Sequence, residues 1–231
     1  MSGHQEVLDV VEGRSRVAVV CGDATAVMRW IGDGCVHRVY CDPSYGLTSI
    51  ATKDVVTCLT AWLAGAPYVH HAPGFMGAEW DAWVPGPEAW REAHRILKPG
   101  GYNVAFSSTR TVDLLGIAVR LAGFEMREGW AWLYGSGFAK SLDVSRAIGQ
   151  EDEDAEASAQ WSGYGTTTKP AFEPIIVARK ALDGTVAANV RRHGVGGLNI
   201  DAARIGYEST PNPATNPLFR ERGGYRITHG A

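Results

Sequence analysis

Residues 36–46 read Val-His-Arg-Val-Tyr-Cys-Asp-Pro-Ser-Tyr-Gly, and this stretch decides the fold class. Its first six residues are rich in apolar and β-branched types, which predicts a buried strand over residues 36–41. The strand stops at residues 42–46, because aspartate, proline and glycine all favour turns. A polar turn at the carboxyl end of a buried strand is the usual place for ligands in open α/β sheets.

The segment before this strand has a similar pattern. Residues 16–21, Arg-Val-Ala-Val-Val-Cys, form a β-branched run that ends at Gly22-Asp23, and residues 24–31 have the composition and spacing of a helix. Strand, helix and strand in this order predict a βαβ unit. Such units build parallel sheets, so the sequence predicts an α/β fold.

More helices and strands are predicted downstream of the turn. Residues 67–87 are rich in glycine, proline and aromatic residues without periodicity, which indicates a functional loop. The predicted elements are a helix over 90–97, ended by Lys98-Pro99-Gly100-Gly101, a strand over 102–106, a helix over 111–122, a strand over 125–134 and a last strand over 174–178. We therefore expect an α/β domain over residues 1–182 and an irregular basic extension over residues 183–231.

Composition limits the class of protein. The chain has 231 residues, of which 45% are hydrophobic, and this is enough for one good core. It has neither an apolar run of membrane-spanning length nor a signal-peptide core, so we expect a cytoplasmic protein. Its four cysteines lack metal-ligand spacing, and we expect buried free thiols with no metal site.

Charge is unevenly distributed along the chain. Residues 1–160 hold 13 basic and 20 acidic residues, whereas residues 161–231 hold 9 and 5. A basic segment with many glycines and prolines suits contact with phosphates, although a solvated tail has the same composition.

Seven short stretches of the sequence are informative both individually and in the order in which they occur. They are Gly22-Asp23, Asp42-Pro43-Ser44-Tyr45-Gly46, FMGAEWD at 75–81, LKPGG at 97–101, TRT at 109–111, YGSGF at 134–138 and KPAFEP at 169–174. Together they resemble a bacterial or phage-type site-specific DNA amino-methyltransferase over most of the chain. The resemblance implies a Rossmann-like methyltransferase sheet, S-adenosylmethionine as cofactor without a metal, and DNA as substrate. Restriction and modification, phage self-protection and regulatory methylation are all compatible with it.

The resemblance also assigns roles to individual residues. It places the catalytic site for the target amine at Asp42, Pro43, Ser44 and Tyr45, and the cofactor near Asp23, Ala24 and Asp42. The side chains that it implies for substrate binding are Tyr45, Phe75, Trp80, Phe138, Arg110 and Lys169. For the aromatic residues the alternative is core packing, and for Arg110 and Lys169 it is an ordinary surface charge.

The chemistry explains why such a turn needs acceptors. An exocyclic nitrogen of adenine or cytosine is a poor nucleophile, because its lone pair is delocalised into the ring. The carboxylate of Asp42 and the carbonyl of Pro43 can each accept one N–H hydrogen bond and hold the nitrogen pyramidal. The ring of Tyr45 would stack on a base that has been flipped out of the duplex.

Two departures from the family pattern alter these expectations. Ser44 stands where the family usually has a second proline, which removes a rigid ring but keeps the carbonyl of Pro43. The Asp-Pro-Phe and Gly-rich cofactor motif is absent from the sequence. We therefore expect a partial or rearranged sheet, in which either residues 16–21 pair directly with residues 36–41 or a companion chain supplies the strands that lie between them in the family.

The sequence is compatible with three functions. Methyl transfer to adenine N6 is favoured because an aspartate at position 42 resembles the adenine group, and cytosine N4 is the second target. A methyltransferase for RNA or for glutamine side chains could use a similar tetrapeptide. A truncated or inactive relative could act as a DNA-binding or partner subunit.

Overall fold

The computed structural model describes residues 3–136, 141–151, 155–168 and 171–204. It contains a five-stranded sheet with helices packed against it, so the predicted α/β class is confirmed. The chain divides into two compact units, Met1–Gly196 and Gly197–Ala231. The sheet lies in the first unit, and the described part of the second contains one short helix, α9 (Ile200–Ala203).

The first unit alternates helices and strands along most of its length. In chain order the elements are α1 (Gly3–Val11), α2 (Ala24–Met28), β1 (Val36–Cys41), α3 (Thr52–Leu63), α4 (Pro87–Ile96), β2 (Leu97–Phe106), α5 (Val112–Leu121), β3 (Glu125–Met126), β4 (Trp130–Leu133), α6 (Val144–Glu151), α7 (Ala155–Gln160), β5 (Phe172–Arg179) and α8 (Val186–His193). The predicted loop over residues 67–87 contains two 3-10 turns, Phe75–Gly77 and Glu79–Asp81.

The sheet mixes parallel and antiparallel pairs. β1 is parallel to β2, β5 is antiparallel to β2, and β3 and β4 both pair with β5. Cys41 lies opposite Ala105, and Phe106 lies opposite Ile175. The carboxyl ends of β1 and β2 therefore meet the beginning of β5 at one end of the sheet.

The Lys-Pro-Gly-Gly stretch ends α4 as expected, but β2 begins at once rather than after it. Val36 lies opposite Leu97, whereas Arg38 lies opposite Tyr102, so β2 carries extra residues between these pairs. Gly100 accommodates this irregularity with a φ of 77°, a conformation that side-chain-bearing residues rarely adopt.

The main core lies between one face of the sheet and helices α3, α4 and α5. Helix α5 presents Leu115 and Val119 to it, one turn apart, and both are fully buried. They pack with Trp90 of α4 and with Ala105 and Ile176 of the two central strands. Each fully buried residue of this size contributes roughly 1.5–3 kcal/mol through the hydrophobic effect.

Residues 16–21 do not form the strand that their composition predicted. Val17 and Val19 are 70% and 86% exposed, and no residue of the segment belongs to a strand. The predicted βαβ unit and the direct pairing of this segment with β1 are therefore wrong. The physical reason is that β-branched residues favour a strand only where a neighbouring strand or a packed face receives them.

The beginning of the predicted irregular extension is also ordered. Helix α8 contacts β2, and its Asn189 is fully buried. The Asn189 amide nitrogen donates to the carbonyls of Pro99 and Val195 at 2.9 and 2.8 Å, and its oxygen accepts from Asp183 N at 2.8 Å. This helix is attached through a polar side chain, so its sequence lacks the apolar stripe by which helices are usually predicted.

All four cysteines are free thiols, as expected, but only Cys58 is buried. Cys35 and Cys41 are partly buried, and Cys21 is exposed because, within the described ranges, no strand lies beside the segment that it ends. Within the described ranges, no helix combines the length and the apolar character that a membrane crossing requires.

Candidate active site

The turn at residues 42–46 lies at the end of the sheet where β1, β2 and β5 meet. Asp42 is exposed, whereas Pro43, Ser44 and Tyr45 are half-buried. The Ser44 hydroxyl donates to the carbonyl of Trp83 at 2.9 Å, which ties the turn to the end of the loop over residues 67–87. The structure thus brings the four predicted catalytic residues together at a sheet end.

A carboxylate from a distant part of the chain joins this turn. Glu173 lies near the start of β5, and its side chain faces the hydroxyls of Tyr45 and Tyr134 at 3.4 and 3.5 Å. A good hydroxyl hydrogen bond is about 2.7–2.8 Å long, so both contacts are weak. The acceptor capacity of Glu173 is therefore largely unused.

Tyr45 lies between two acidic groups. Burial, followed by its hydrogen bond with Asp42 and the charges of Asp42 and Glu173, raises the pKa of the Tyr45 phenol far above its ordinary range. The pKa of Tyr134 is raised as well, by desolvation first and then by Glu173. Both phenols consequently remain protonated at physiological pH, and they serve as hydrogen-bond donors rather than as bases.

The carbonyl of Pro43 is the second acceptor that the sequence reasoning required. In the part of the chain that the structure describes, no group donates a hydrogen bond to this oxygen. Across the same residues, neither Asp42 nor Glu173 forms an ion pair with a lysine, arginine or histidine. Within the described residues, the Pro43 carbonyl thus has no donor, and the Asp42 carboxylate accepts only from Tyr45.

Four residues that the sequence reasoning did not assign hold or line this site. Asp81 and Thr111 bind the backbone of the turn, while Glu173 and Tyr134 lie beside Tyr45. All four occur within the matched stretches at 75–81, 109–111, 134–138 and 169–174. The stretches were the signal that could have found them, but their contacts join residues that are far apart in sequence.

Aromatic side chains lie next to the acidic cluster, which consists of Asp42 and Glu173 on either side of Tyr45. Trp132 of β4 pairs across the strands with Glu173, and its ring lies 6.3 Å from that of Phe106 between centroids. Trp132 is 57% exposed and Trp130, on the same face of β4, is 43% exposed. These two tryptophans were not among the predicted site residues.

Among the predicted substrate contacts, Trp80 and Arg110 are both described. Trp80 is 76% exposed in the turn Glu79–Asp81, which excludes the alternative of core packing. The guanidinium of Arg110 donates to the carbonyl of Thr48 at 3.2 Å. Thr48 lies two residues after the turn at residues 42–46. The side chain of Phe75 and all of Phe138 and Lys169 lie outside the described residues.

Two of the three predicted cofactor residues, Asp23 and Ala24, lie at the start of helix α2, and the third, Asp42, follows β1. Asp23 is the N-cap of α2, and the Asp23 carboxylate accepts from the amide of Ala26 at 2.7 Å. Ala24 is the first helical residue, and both residues are exposed. Because residues 16–21 form no strand, the helix start lacks the sheet against which a cofactor would lie.

These residues do not form a complete site for S-adenosylmethionine. A nucleoside cofactor in an α/β sheet needs a strand, a Gly-rich turn and a helix N-terminus together. Within the described ranges, none of the Gly-x-Gly stretches follows a strand and opens a helix. Those ranges also contain no cluster of histidine, cysteine and acidic residues that could hold a metal ion.

Comparison with known proteins gave matches only among solved structures. No protein-family profile matches the chain, and no curated protein matches it. A protein of Thermus thermophilus described as a DNA modification methylase is 16% identical, with 74% of this chain and 56% of that chain covered and a TM-score of 0.37. A complex of M1.HpyAVI with SAM is 11% identical, with 70% and 54% covered and a TM-score of 0.35.

The [4+2]-cyclase SpnF is also among the similar structures. It is 16% identical, with 77% of this chain and 61% of that chain covered and a TM-score of 0.33. The chain thus spans little more than half the length of these three proteins.

Proposed function

We propose that this chain carries the target-base half of a DNA amino-methyltransferase that uses S-adenosylmethionine. The observation that carries the proposal is the turn at residues 42–46. Its exposed carboxylate, Asp42, and its unbonded carbonyl, Pro43, are consecutive acceptors beside the half-buried ring of Tyr45. An amino group has two N–H donors, and these two acceptors match them.

Each residue of the turn has its own role in the proposed reaction. Asp42 and the Pro43 carbonyl accept one N–H bond each, which keeps the amino nitrogen pyramidal and its lone pair directed away from the ring. Ser44 anchors the turn through its hydrogen bond to Trp83. Tyr45 offers its ring for stacking on the extruded base, since every base has a π-face.

The acidic cluster supports an amino-bearing substrate over other classes. Asp42 and Glu173 are acceptors without an ion-pair partner in the described part of the chain, and their tyrosine neighbours supply one proton each. A ligand that brings N–H donors completes such a site, whereas a phosphate or carboxylate would be repelled by it. We place the base edge, rather than the DNA backbone, at this cluster.

The exposed tryptophans beside the cluster support a nucleic-acid substrate. Trp130 and Trp132 share one face of β4, and Trp80 is exposed on the turn that contains Asp81. Exposed aromatic rings near an acceptor site are suited to stacking on bases, at roughly 1–3 kcal/mol per base. Arg110, Lys169 and the basic residues 183–231 are the proposed phosphate contacts.

Adenine N6 is the proposed target, and cytosine N4 is the alternative. The preference rests on the resemblance of the Asp42 position to the adenine group. Analysis of the methylated nucleosides by mass spectrometry separates the two, because N6-methyldeoxyadenosine and N4-methyldeoxycytidine differ in mass and retention.

S-adenosylmethionine, when bound, supplies the methyl group, and a companion chain is proposed to complete its site. Residues 16–21 form an apolar segment with no strand neighbour, and the outer edge of β1 pairs with no strand within the described ranges. Unpaired strand groups of this kind are completed by addition of further strands. Asp23 and Ala24 would then lie beside a cofactor that both chains hold.

Calorimetric titration of the purified chain with S-adenosylmethionine tests the division of the site. We expect weak binding or none, together with no transfer of tritiated methyl groups to unmethylated DNA until the companion is present. Tight binding with turnover by the chain alone would refute the companion chain while supporting methyl transfer.

A second experiment tests the base site without the cofactor. Duplex DNA that carries 2-aminopurine next to a target adenine should become more fluorescent when the chain extrudes that adenine and so unstacks its fluorescent neighbour. RNA of the same sequence serves as the control for substrate class. No change with DNA at saturating protein would contradict the proposed base site.

The second candidate function is a DNA-binding or partner subunit without catalysis. It is favoured by the incomplete cofactor side, at residues 16–24. The two candidates differ in one result, since only the enzyme transfers methyl groups once it is complemented.

A further inference from the structure

The loop over residues 67–87 contains one buried carboxylate that is directed at the candidate turn. Asp81 is 5% exposed, and its Oδ1 atom accepts from the amides of Tyr45 at 2.7 Å and Gly46 at 3.1 Å. Asp81 is thus bound to two successive peptide units of a segment that lies 35 residues earlier in the chain.

We infer that Asp81 is a positioning residue that sets the backbone of the Asp-Pro-Ser-Tyr turn and thereby the direction of the Tyr45 ring. This inference rests on the proposed function for the purpose of the turn, but not for the contacts themselves. One acceptor that binds two consecutive amides fixes the peptide planes on both sides of Tyr45. The bond from the ring-bearing carbon then has a single direction relative to β1.

Neighbouring contacts leave the turn no other arrangement. The carbonyl of Tyr45 accepts from the hydroxyl of Thr111 at 2.6 Å, and the Ser44 hydroxyl donates to Trp83. Gly46 has a φ of 65°, and a Cβ atom there would lie 3.2 Å from the backbone of Trp83. The turn is therefore clamped between residues 81–84 and the start of α5, and Asp81 supplies both bonds to its amides.

The backbone of the loop over residues 67–87 is tightly packed around Asp81. A Cβ atom at Gly74 would lie 2.7 Å from the carbonyl carbon of Asp81 and 2.9 Å from the amide of Ala82, so the two parts of the loop approach as closely as only glycine allows. Met76, two residues later, has a positive φ of 54°. Such strain is kept only where surrounding contacts determine the conformation.

A precise turn matters because methyl transfer is sensitive to geometry. A misplacement of about 1 Å at the reacting group can lower the rate of an enzyme by about a hundredfold. Buried groups that lock a reactive segment are the means by which such precision is reached. Asp81 meets this description without touching the proposed base.

Amide hydrogen exchange, measured by NMR on the labelled chain, tests the inference. In Asp81→Leu we expect the protection of the Tyr45 and Gly46 amides to fall at least about tenfold, because both lose their acceptor. In Asp81→Asn the amide oxygen still accepts, and protection should stay within about threefold of the wild type. The amides of Val104 and Ala105 in β2 report on the fold as a whole.

Two further variants serve as controls. Glu79→Ala removes an exposed carboxylate from the same 3-10 turn and should leave both amides protected. Gly74→Ala retains the carboxylate but displaces it, and we expect the same selective loss at Tyr45 and Gly46. If Asp81→Leu fails to fold, the protection of these two amides in Gly74→Ala tests the inference instead.

Unchanged protection of both amides in folded Asp81→Leu would overturn the inference. A loss spread equally over β2 would overturn it too, because Asp81 would then support only the general fold. Exchange needs no methyl transfer, so a protein that proves inactive still gives the result. Failure of the proposed function and failure of this inference are therefore distinguishable.

Discussion

Residues 16–23 and residues 36–46 begin with similar sequences and have opposite structures. Each is a β-branched run that ends in a polar turn with an aspartate. The second forms β1 and is held by Asp81, Trp83 and Thr111, whereas the first is largely exposed and has no strand neighbour in the described part of the chain. The difference teaches that a strand-forming sequence becomes a strand only when other residues provide its partners.

The same comparison divides the proposed site. The target-base side is complete in its contacts, and the cofactor side consists of a helix cap next to an unpaired segment. Substitutions on the target-base side should weaken base extrusion by the isolated chain, whereas substitutions on the cofactor side should not. Substitutions on either side should lower methyl transfer by the complemented chain.

Thiol labelling at pH 8 should show the largest contrast between the two regions. Burial and then the charge of Asp42 raise the pKa of Cys41 to about 12. Its thiolate population is then about a thousandfold below that of an unshifted thiol, so Cys41 should label far more slowly than exposed Cys21. Mass spectrometry of labelled peptides measures both rates, with Cys21→Ser as the control. Equal rates would mean that the β1 end opens readily.

Asp42→Ala should lower methyl transfer by the complemented enzyme by about a hundredfold or more, because one preorganised acceptor is lost. Since Asp42 is exposed at a strand end, the thermal unfolding of the chain should not change. The matched control is Glu128→Ala, which removes a carboxylate that is 90% exposed and lies outside the proposed site, and it should change neither activity nor stability. Full activity of Asp42→Ala in a tritiated-methyl assay would show that the base site lies elsewhere.

Substitutions of Tyr45 should separate stacking from hydrogen bonding. Removing the ring in Tyr45→Ala should cost roughly 1–3 kcal/mol in the transition state, which is about 5- to 150-fold in kcat/KM. Tyr45→Phe keeps the ring and loses only the hydroxyl's contacts with Asp42 and Glu173, so its effect should be smaller. The 2-aminopurine signal should follow the same order. Equal losses in both variants would assign the role to the hydroxyl.

Two valine substitutions compare the stabilities of the two regions. Val104→Ala, at a site that is 2% exposed, should lower the free energy of unfolding by about 2 kcal/mol through the lost packing. Val19→Ala, at a site that is 86% exposed, should change it by no more than about 0.5 kcal/mol. Urea unfolding of the isolated chain measures both. A large cost at Val19 would reveal packing that the structure does not contain.

Part of the fold could be predicted from local patterns. The strand at residues 36–41 was predicted because it is an apolar run that a turn ends, and α5 because its apolar residues recur at helical spacing. Helix α8 was missed because its one buried anchor is Asn189, a polar residue that carries no periodic signal. Residues 16–21 were predicted as a strand from their β-branched pattern, but no strand of the described residues pairs with them.

The candidate site could also be predicted only in part from the sequence. Asp42, Pro43, Ser44 and Tyr45 are consecutive, so a motif could identify them. Glu173 and Tyr134 reach Tyr45 only because β5 runs antiparallel to β2 and β4 pairs with β5. No spacing along the chain encodes that arrangement.

By itself, the sequence determined the residues whose behaviour depends on their immediate neighbours in the chain. These are the turn at residues 42–46, the strand before it and the chemistry that its acceptors can perform. The tertiary structure alone decided that Asp81 binds this turn, that Glu173 faces Tyr45 and that residues 16–21 pair with no strand of the described residues. Hydrogen bonds and strand pairing between distant segments depend on the packing of the whole chain, because a local pattern states which residues can pair and not which partner is present.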